Sequence, residues 1–186
     1  MTSFIGKRFS HNGAISSGQV IAFFSLAILA RVVWGLEVGD QAPDFELQAS
    51  DGRVYRLSDY VGKQHVVLAW FPQAFTSGCT IECKSLADSG DELSKFDMTY
   101  FMASVDPLEK STRFAESTGA DFPLLSDESM EVARRYGVLY QNRFALRPTF
   151  YIDSNGKIAA IDSNVNPVNS GQDMIKKLIE LNVGKR

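Results

Sequence analysis

Residues 65–71 read HVVLAWF, and this run constrains the fold more than any other segment of the chain. It is nearly continuous in apolar side chains. A strand of that kind has no polar face to turn to water, so it belongs inside a sheet that is covered on both sides. Any fold for this chain must therefore supply covering elements above and below residues 65–71.

The flanking sequence supplies them. Residues 45–47 and 54–57 read as strands around Ser50-Asp51-Gly52, a hairpin signal. A helix is predicted over residues 79–96, then a strand over 99–105. Residues 107–117 read as a helix with Pro107 in its first turn. A short strand at Leu124-Leu125 precedes a helix over 129–136, closed by Gly137. Strands at 149–152 and 157–161 are joined by Asp153-Ser154-Asn155-Gly156, strong turn chemistry, and a last helix covers 174–181. Strands alternating with helices predict an α/β sandwich, and the final hairpin adds antiparallel strands that make its sheet mixed. Chemistry in such sheets collects beyond the carboxyl ends of the central strands.

With 186 residues, 45% apolar and 22% charged, the chain fits one globular domain with a full core. Thirteen Phe and six Tyr exclude a disordered tail protein. A net charge of −3 gives no basis for a nucleic-acid partner. The charge is uneven: no Asp or Glu precedes Glu37, and residues 1–36 hold only Lys7, Arg8 and Arg31. Residues 20–30 (VIAFFSLAILA) are uncharged, short for a membrane span of about twenty residues and suited to the core of a secretory signal. Residues 1–35 are thus expected to be a cleaved signal peptide. An uncleaved anchor attaching through residues 20–36, a buried N-terminal helix and, last, an organelle transit peptide are the weaker readings. The expected location is the periplasm, free or facing it from the membrane, with the cytoplasm as alternative. Residues 36–186 form the expected single folded domain.

The chemistry follows residue 71. The stretch 72–83 (PQAFTSGCTIEC) holds both cysteines of the protein. Thr76-Ser77-Gly78 is a helix start, with Thr76 or Ser77 able to cap it, and Cys79 falls in the first turn. Unpaired N–H groups and the positive end of the helix dipole favour a thiolate there, and the thiolate is the nucleophilic form. The plain alternative is that Cys79 and Cys83 are two buried small side chains or a structural disulfide. Residues four apart on a continuous helix are poorly aimed for a disulfide, which favours a pair that changes state over a fixed staple.

Pro72, Thr76 and Cys79 match the Pro-x-x-x-Thr-x-x-Cys motif of the peroxiredoxins, placed after a buried strand. Residues 39–45 (GDQAPDF) resemble that family's opening, and Arg147 followed by Thr149-Phe150-Tyr151-Ile152-Asp153 resembles its distal arginine and strand. The resemblance covers residues 37–183 and is greatest to the Q type, also called bacterioferritin-comigratory-like. It implies a thioredoxin-like three-layer sandwich with a mixed central sheet and an N-terminal β-hairpin. It implies that Cys79 attacks hydrogen peroxide or an alkyl hydroperoxide and becomes a sulfenic acid. Thr76 would hydrogen-bond the thiolate and the peroxide, Arg147 would stabilise both, and Pro72 would shield the sulfur. No cofactor or metal is needed; a thioredoxin-like or small-thiol reductant completes the cycle, in a monomer or dimer. Glu82 reads as an exposed first-turn residue, with a place beside Arg147 as second reading.

The sequence departs from the family in three places. Cys83 lies four residues after Cys79 where the Q type often has its resolving cysteine five on, so an intramolecular disulfide and a one-cysteine cycle with an external thiol both stay open. Ser77 replaces the usual proline. Pro148 follows Arg147 directly, in either isomer. Three other functions compete. A copper-binding assembly factor fits Cys-x-x-x-Cys but lacks a downstream His, since His11 and His65 both precede Cys79. A disulfide oxidoreductase normally uses Cys-x-x-Cys. A cysteine hydrolase would need His65 as its base.

Overall fold

The computed structural model describes residues 35–186. The targeting segment expected over residues 1–35 lies, but for Gly35, outside the described residues. Among the described residues no helix is long and apolar enough to cross a membrane.

The 65–71 run forms β3 (His65–Trp70) at the heart of the sheet. Its parallel neighbour is β4 (Met98–Ser104) and its antiparallel neighbour is β8 (Thr149–Ile152). Among the described residues the main sheet has seven strands in the order β2-β1-β5-β4-β3-β8-β9. The N-terminal hairpin is β1 (Glu46–Ala49) with β2 (Val54–Arg56); β5 is Leu124–Ser126 and β9 is Ile158–Asp162. Parallel pairing of β3, β4 and β5 combines with antiparallel pairing elsewhere, so the sheet is mixed as expected.

Alternation along β3 explains its apolar run. Val66, Leu68 and Trp70 enter one core with Phe101, Phe150 and Tyr136. Val67, Ala69 and Phe71 enter the other with Phe114, Leu86 and Met174. Successive strand side chains point to opposite faces, and here both faces are covered. The second face carries α1 (Ser77–Asp88), α3 (Leu108–Thr118) and α5 (Ser170–Glu180). The first carries α4 (Glu131–Arg135), whose Val132 and Ala133 reach its core. The result is the three-layer sandwich.

The helix predicted over 79–96 is in fact two. α1 stops at Asp88, Ser89 leaves helical geometry, and a single turn, α2 (Gly90–Leu93), follows. Ser and Gly are weak helix formers, and side by side they mark the break. The start of α5 presses on this end of α1: a Cβ on Gly171 would stand 2.4 Å from the Ser85 carbonyl oxygen and 2.2 Å from Ser89 Oγ. A small second ribbon, β6 (Leu139–Tyr140) with β7 (Phe144–Ala145), has no counterpart in the sequence reading.

Candidate active site

The chain leaves β3 at its carboxyl end, turns through residues 72–76 and enters α1. Pro72 is half-buried just beyond the strand, and Phe75 holds a left-handed backbone with φ 67°. Thr76 is the N-cap residue of α1 with φ −81° and ψ 152°. Its hydroxyl does not cap the helix; it donates to the Gln73 carbonyl at 2.9 Å. That uses its one proton and leaves the oxygen free to accept. No hydrogen bond joins Thr76 to Cys79.

Cys79 is the third residue of α1, fully buried and in the free thiol form. Arg147 Nη2 donates to its sulfur at 3.1 Å. Arg147 arrives from just before β8, and the sheet fixes its approach: Trp70 N–H, at the end of β3, donates to the Pro148 carbonyl at 3.0 Å. No peptide bond among the described residues is cis, so Arg147–Pro148 is trans. Arg147 crosses close over Gly78, where a Cβ would stand 3.4 Å from Nη2, an ordinary van der Waals contact.

Glu82 overturns the first sequence reading, an exposed residue, and takes up the second, a place beside Arg147. It is completely buried rather than exposed, and its Oε2 pairs with Arg147 Nη1. Burial pushes its carboxyl up to about 7, against the lowering pull of Arg147. Its other oxygen, Oε1, has no partner among the described residues, which adds to the cost of charging it. The signal was its spacing: positions 79 and 82 are three apart and share a helix face.

Cys83 lies one turn beyond Cys79 on the same unbroken helix, fully buried and in the free thiol form. Its sulfur is 3.2 Å from Thr118 Oγ1, whose hydroxyl lies 2.8 Å from the Phe114 carbonyl as donor. The Cys83 S–H is then the donor to Thr118. Burial is the main reason its thiol is pushed up to about 11. Neither Thr118 nor Asp106, which binds the 72–76 loop through the Ala74 N–H at 2.7 Å, was singled out from sequence. Both come from elements far along the chain.

A cavity of about 440 Å³ opens beside Arg147 and Pro148, between Tyr136, Val138 and Ile161; Cys79 does not line it. His65 opens β3 while Cys79 follows its other end, so the hydrolase reading lacks a base within reach. Among the described residues no group of three or more His, Cys, Asp or Glu side chains is arranged to hold a metal.

Residues 38–161 match the AhpC/TSA family. The chain belongs to this family of peroxiredoxins. Peroxiredoxin Bcp of Escherichia coli is 39% identical over 130 residues, covering 66% of this chain and 83% of the relative. Peroxiredoxin Bcp of Bacillus subtilis is 34% identical over 130 residues, covering 66% and 82%. Among solved structures, peroxidoxin BcpB of Mycobacterium tuberculosis superposes with a TM-score of 0.70 at 31% identity, over 78% of this chain and 97% of that one. Peroxiredoxin Q of Xylella fastidiosa shares the fold, with a TM-score of 0.72 at 22% identity over 78% and 96%. This peroxiredoxin is a thiol-dependent peroxidase with a thioredoxin-like fold; its substrate is a peroxide and its electrons come from a thiol. The copper-binding and disulfide-exchange alternatives are not favoured.

Periplasmic export is corrected. The relatives are Bcp-type peroxiredoxins, and that kinship gives export no support. The expectation rested on the hydropathy of residues 20–30, which fall outside both the family match and the described residues. An apolar run of that length does not by itself specify a destination.

Proposed function

We propose that Cys79 is the residue that attacks the peroxide, with Arg147, Thr76 and Pro72 as its partners. The observation that carries this reading is the 3.1 Å contact from Arg147 Nη2 to a sulfur in the first turn of α1. A guanidinium and a helix N-terminus both favour negative charge on that sulfur.

The thiolate of Cys79 attacks one oxygen of the peroxide. An S–O bond forms as the O–O bond breaks, and the departing oxygen takes a proton to leave as water or an alcohol. Arg147 stabilises the charge that shifts onto the oxygens, the kind of electrostatic assistance that is often the largest catalytic term. Thr76 accepts the peroxide O–H through its free lone pairs. Pro72, at the mouth of the turn, restricts water. Cys79 is left as a sulfenic acid.

Cys83 then resolves it. Its thiolate attacks the Cys79 sulfur, a disulfide forms and water leaves. Since both residues sit on one continuous helix, the first turn of α1 has to unwind for this step. A thioredoxin-like dithiol reduces the disulfide. Without that unwinding, an external small thiol takes the place of Cys83. Residues 36–186 are the catalytic unit, acting as a monomer or dimer.

Cys79→Ser should abolish peroxide consumption with any thiol donor. Cys83→Ser should keep the first oxidation and stall turnover with a dithiol donor. Full cycling of Cys83→Ser with a thioredoxin-like donor would remove Cys83 from the mechanism.

A further inference from the structure

Residues 72–76 carry Pro72 and Thr76 and aim the start of α1, yet this segment is tied to the sheet by little of its own backbone. Of the N–H groups of residues 73–76, that of Ala74 is the one bonded outside the segment; that of Thr76 turns back to the Gln73 carbonyl at 3.4 Å. Next to Ala74, Phe75 holds φ 67°, a region that residues with a side chain seldom occupy. Such a conformation persists only where the surroundings over-determine it. Part of that constraint is the Phe75 ring, packed edge-on to Phe114 at 5.3 Å between centroids. The other part is the bond to Ala74.

The acceptor is Asp106, two residues past β4 and only 8% exposed. Its Oδ2 receives the Ala74 N–H at 2.7 Å and the Ser104 hydroxyl at 3.3 Å. Its Oδ1 receives Lys110 Nζ at 2.7 Å. Its own N–H donates to Ser104 Oγ at 3.2 Å, and its carbonyl accepts the Ser126 hydroxyl at 2.6 Å. Asp106 is thus held by β4, α3 and β5 at once, and it passes that fixed position to the turn before Cys79. β3 and β4 run in parallel register, with Trp70 opposite Ala103, so the chain beyond β4 ends beside the chain beyond β3.

We infer that Asp106 is a positioning residue for the peroxidase reaction: through the Ala74 N–H it holds the 72–76 turn in the conformation that presents Thr76 and Cys79 to the peroxide. It touches neither the sulfur nor the substrate. Removing the carboxylate leaves a buried N–H without an acceptor and releases the strained residue beside it. Thr76, two residues after Ala74, and Cys79, five after it, then lose their registration against Arg147. This inference rests on Cys79 being the attacking residue.

The test is the second-order rate constant of the full chain with hydrogen peroxide. Asp106→Ala should lower it about ten- to a hundredfold while far-ultraviolet circular dichroism stays that of a folded protein, the scale expected for a displacement of about 1 Å. Asp106→Asn keeps an acceptor oxygen and should recover most of the loss. Asp106→Ala combined with Thr76→Val should lose less than the product of the two single losses, because both act through one turn. Asp106→Ala reacting at the wild-type rate, Asn no better than Ala, or losses that multiply would each overturn the inference. Should Asp106→Ala fail to fold, amide hydrogen exchange in the wild-type chain decides: the Ala74 N–H should exchange at least about a hundredfold slower than in a free chain, and free-chain exchange overturns it. A wild-type chain whose Cys79 ignores peroxide would instead refute the attacking-cysteine reading, so the two failures are distinct.

Discussion

Arg147 gives one guanidinium nitrogen to the Glu82 carboxylate and the other to the Cys79 sulfur. A planar, forked side chain can hold both at once, whereas an ammonium group offers a point charge with no fixed fork. Arg147→Lys should therefore slow the reaction with hydrogen peroxide on the order of a hundredfold, as removal of one charge-stabilising donor typically does. Stopped-flow measurement of peroxide consumption checks this. A loss under about threefold would mean that positive charge alone suffices at this position.

Glu82 sets a pH dependence of stability. Its carboxyl is raised from 4.5 to about 7 by burial, so over that range the folded chain holds this proton more tightly than the unfolded chain. Its contribution to stability is complete at low pH and is lost as pH rises through about 7. Glu82→Gln has no charge to bury. Its urea midpoint, relative to wild type, should rise between about pH 4.5 and pH 7 and level off above that. A constant difference would show that Glu82 is ionised throughout.

As the proposed resolving residue, Cys83 should set the pace of the second half of the cycle. With its thiol raised to about 11, little thiolate is present at neutral pH. After one equivalent of peroxide, disulfide formation should accelerate roughly tenfold per pH unit between about pH 6 and pH 9. Loss of free thiols after rapid mixing follows this step. A rate independent of pH would place the limit in the unwinding of α1 rather than in the chemistry.

The seat of α1 depends on Gly171. A Cβ there would collide with the Ser85 carbonyl oxygen at 2.4 Å, and that backbone atom cannot move aside cheaply. Gly171→Ala should destabilise the fold by about 1–3 kcal/mol, the usual cost of overpacking, as read from the shift of the urea midpoint. An unchanged midpoint would mean that α5 and α1 separate freely.

Much of this architecture was legible because it depends on local pattern. The 65–71 run announced a central strand, since side chains alternating into two cores need no polar positions at all. The placement of Cys79 in the first turn of a helix was legible because the turn and the helix start lie within seven residues of it. What escaped depends on distant partners. An acidic residue in the second turn of a helix looks solvent-facing until an arginine 65 positions away covers it, as Arg147 covers Glu82. The Thr76 hydroxyl looked like a cap but bonds Gln73, and the burial of Cys83 against Thr118 is a contact between two helices. Two-residue strands such as β6 and β7 are too short to leave a periodic signal.

The most direct measurement is the mass of the Cys79 peptide from Cys83→Ser protein after brief exposure to one equivalent of hydrogen peroxide. Cys79 should gain one oxygen, about 16 Da, and be trapped by a sulfenate-specific reagent. A Cys79 peptide of unchanged mass, while the protein still consumes peroxide, would contradict the assignment of this sulfur as the attacking atom.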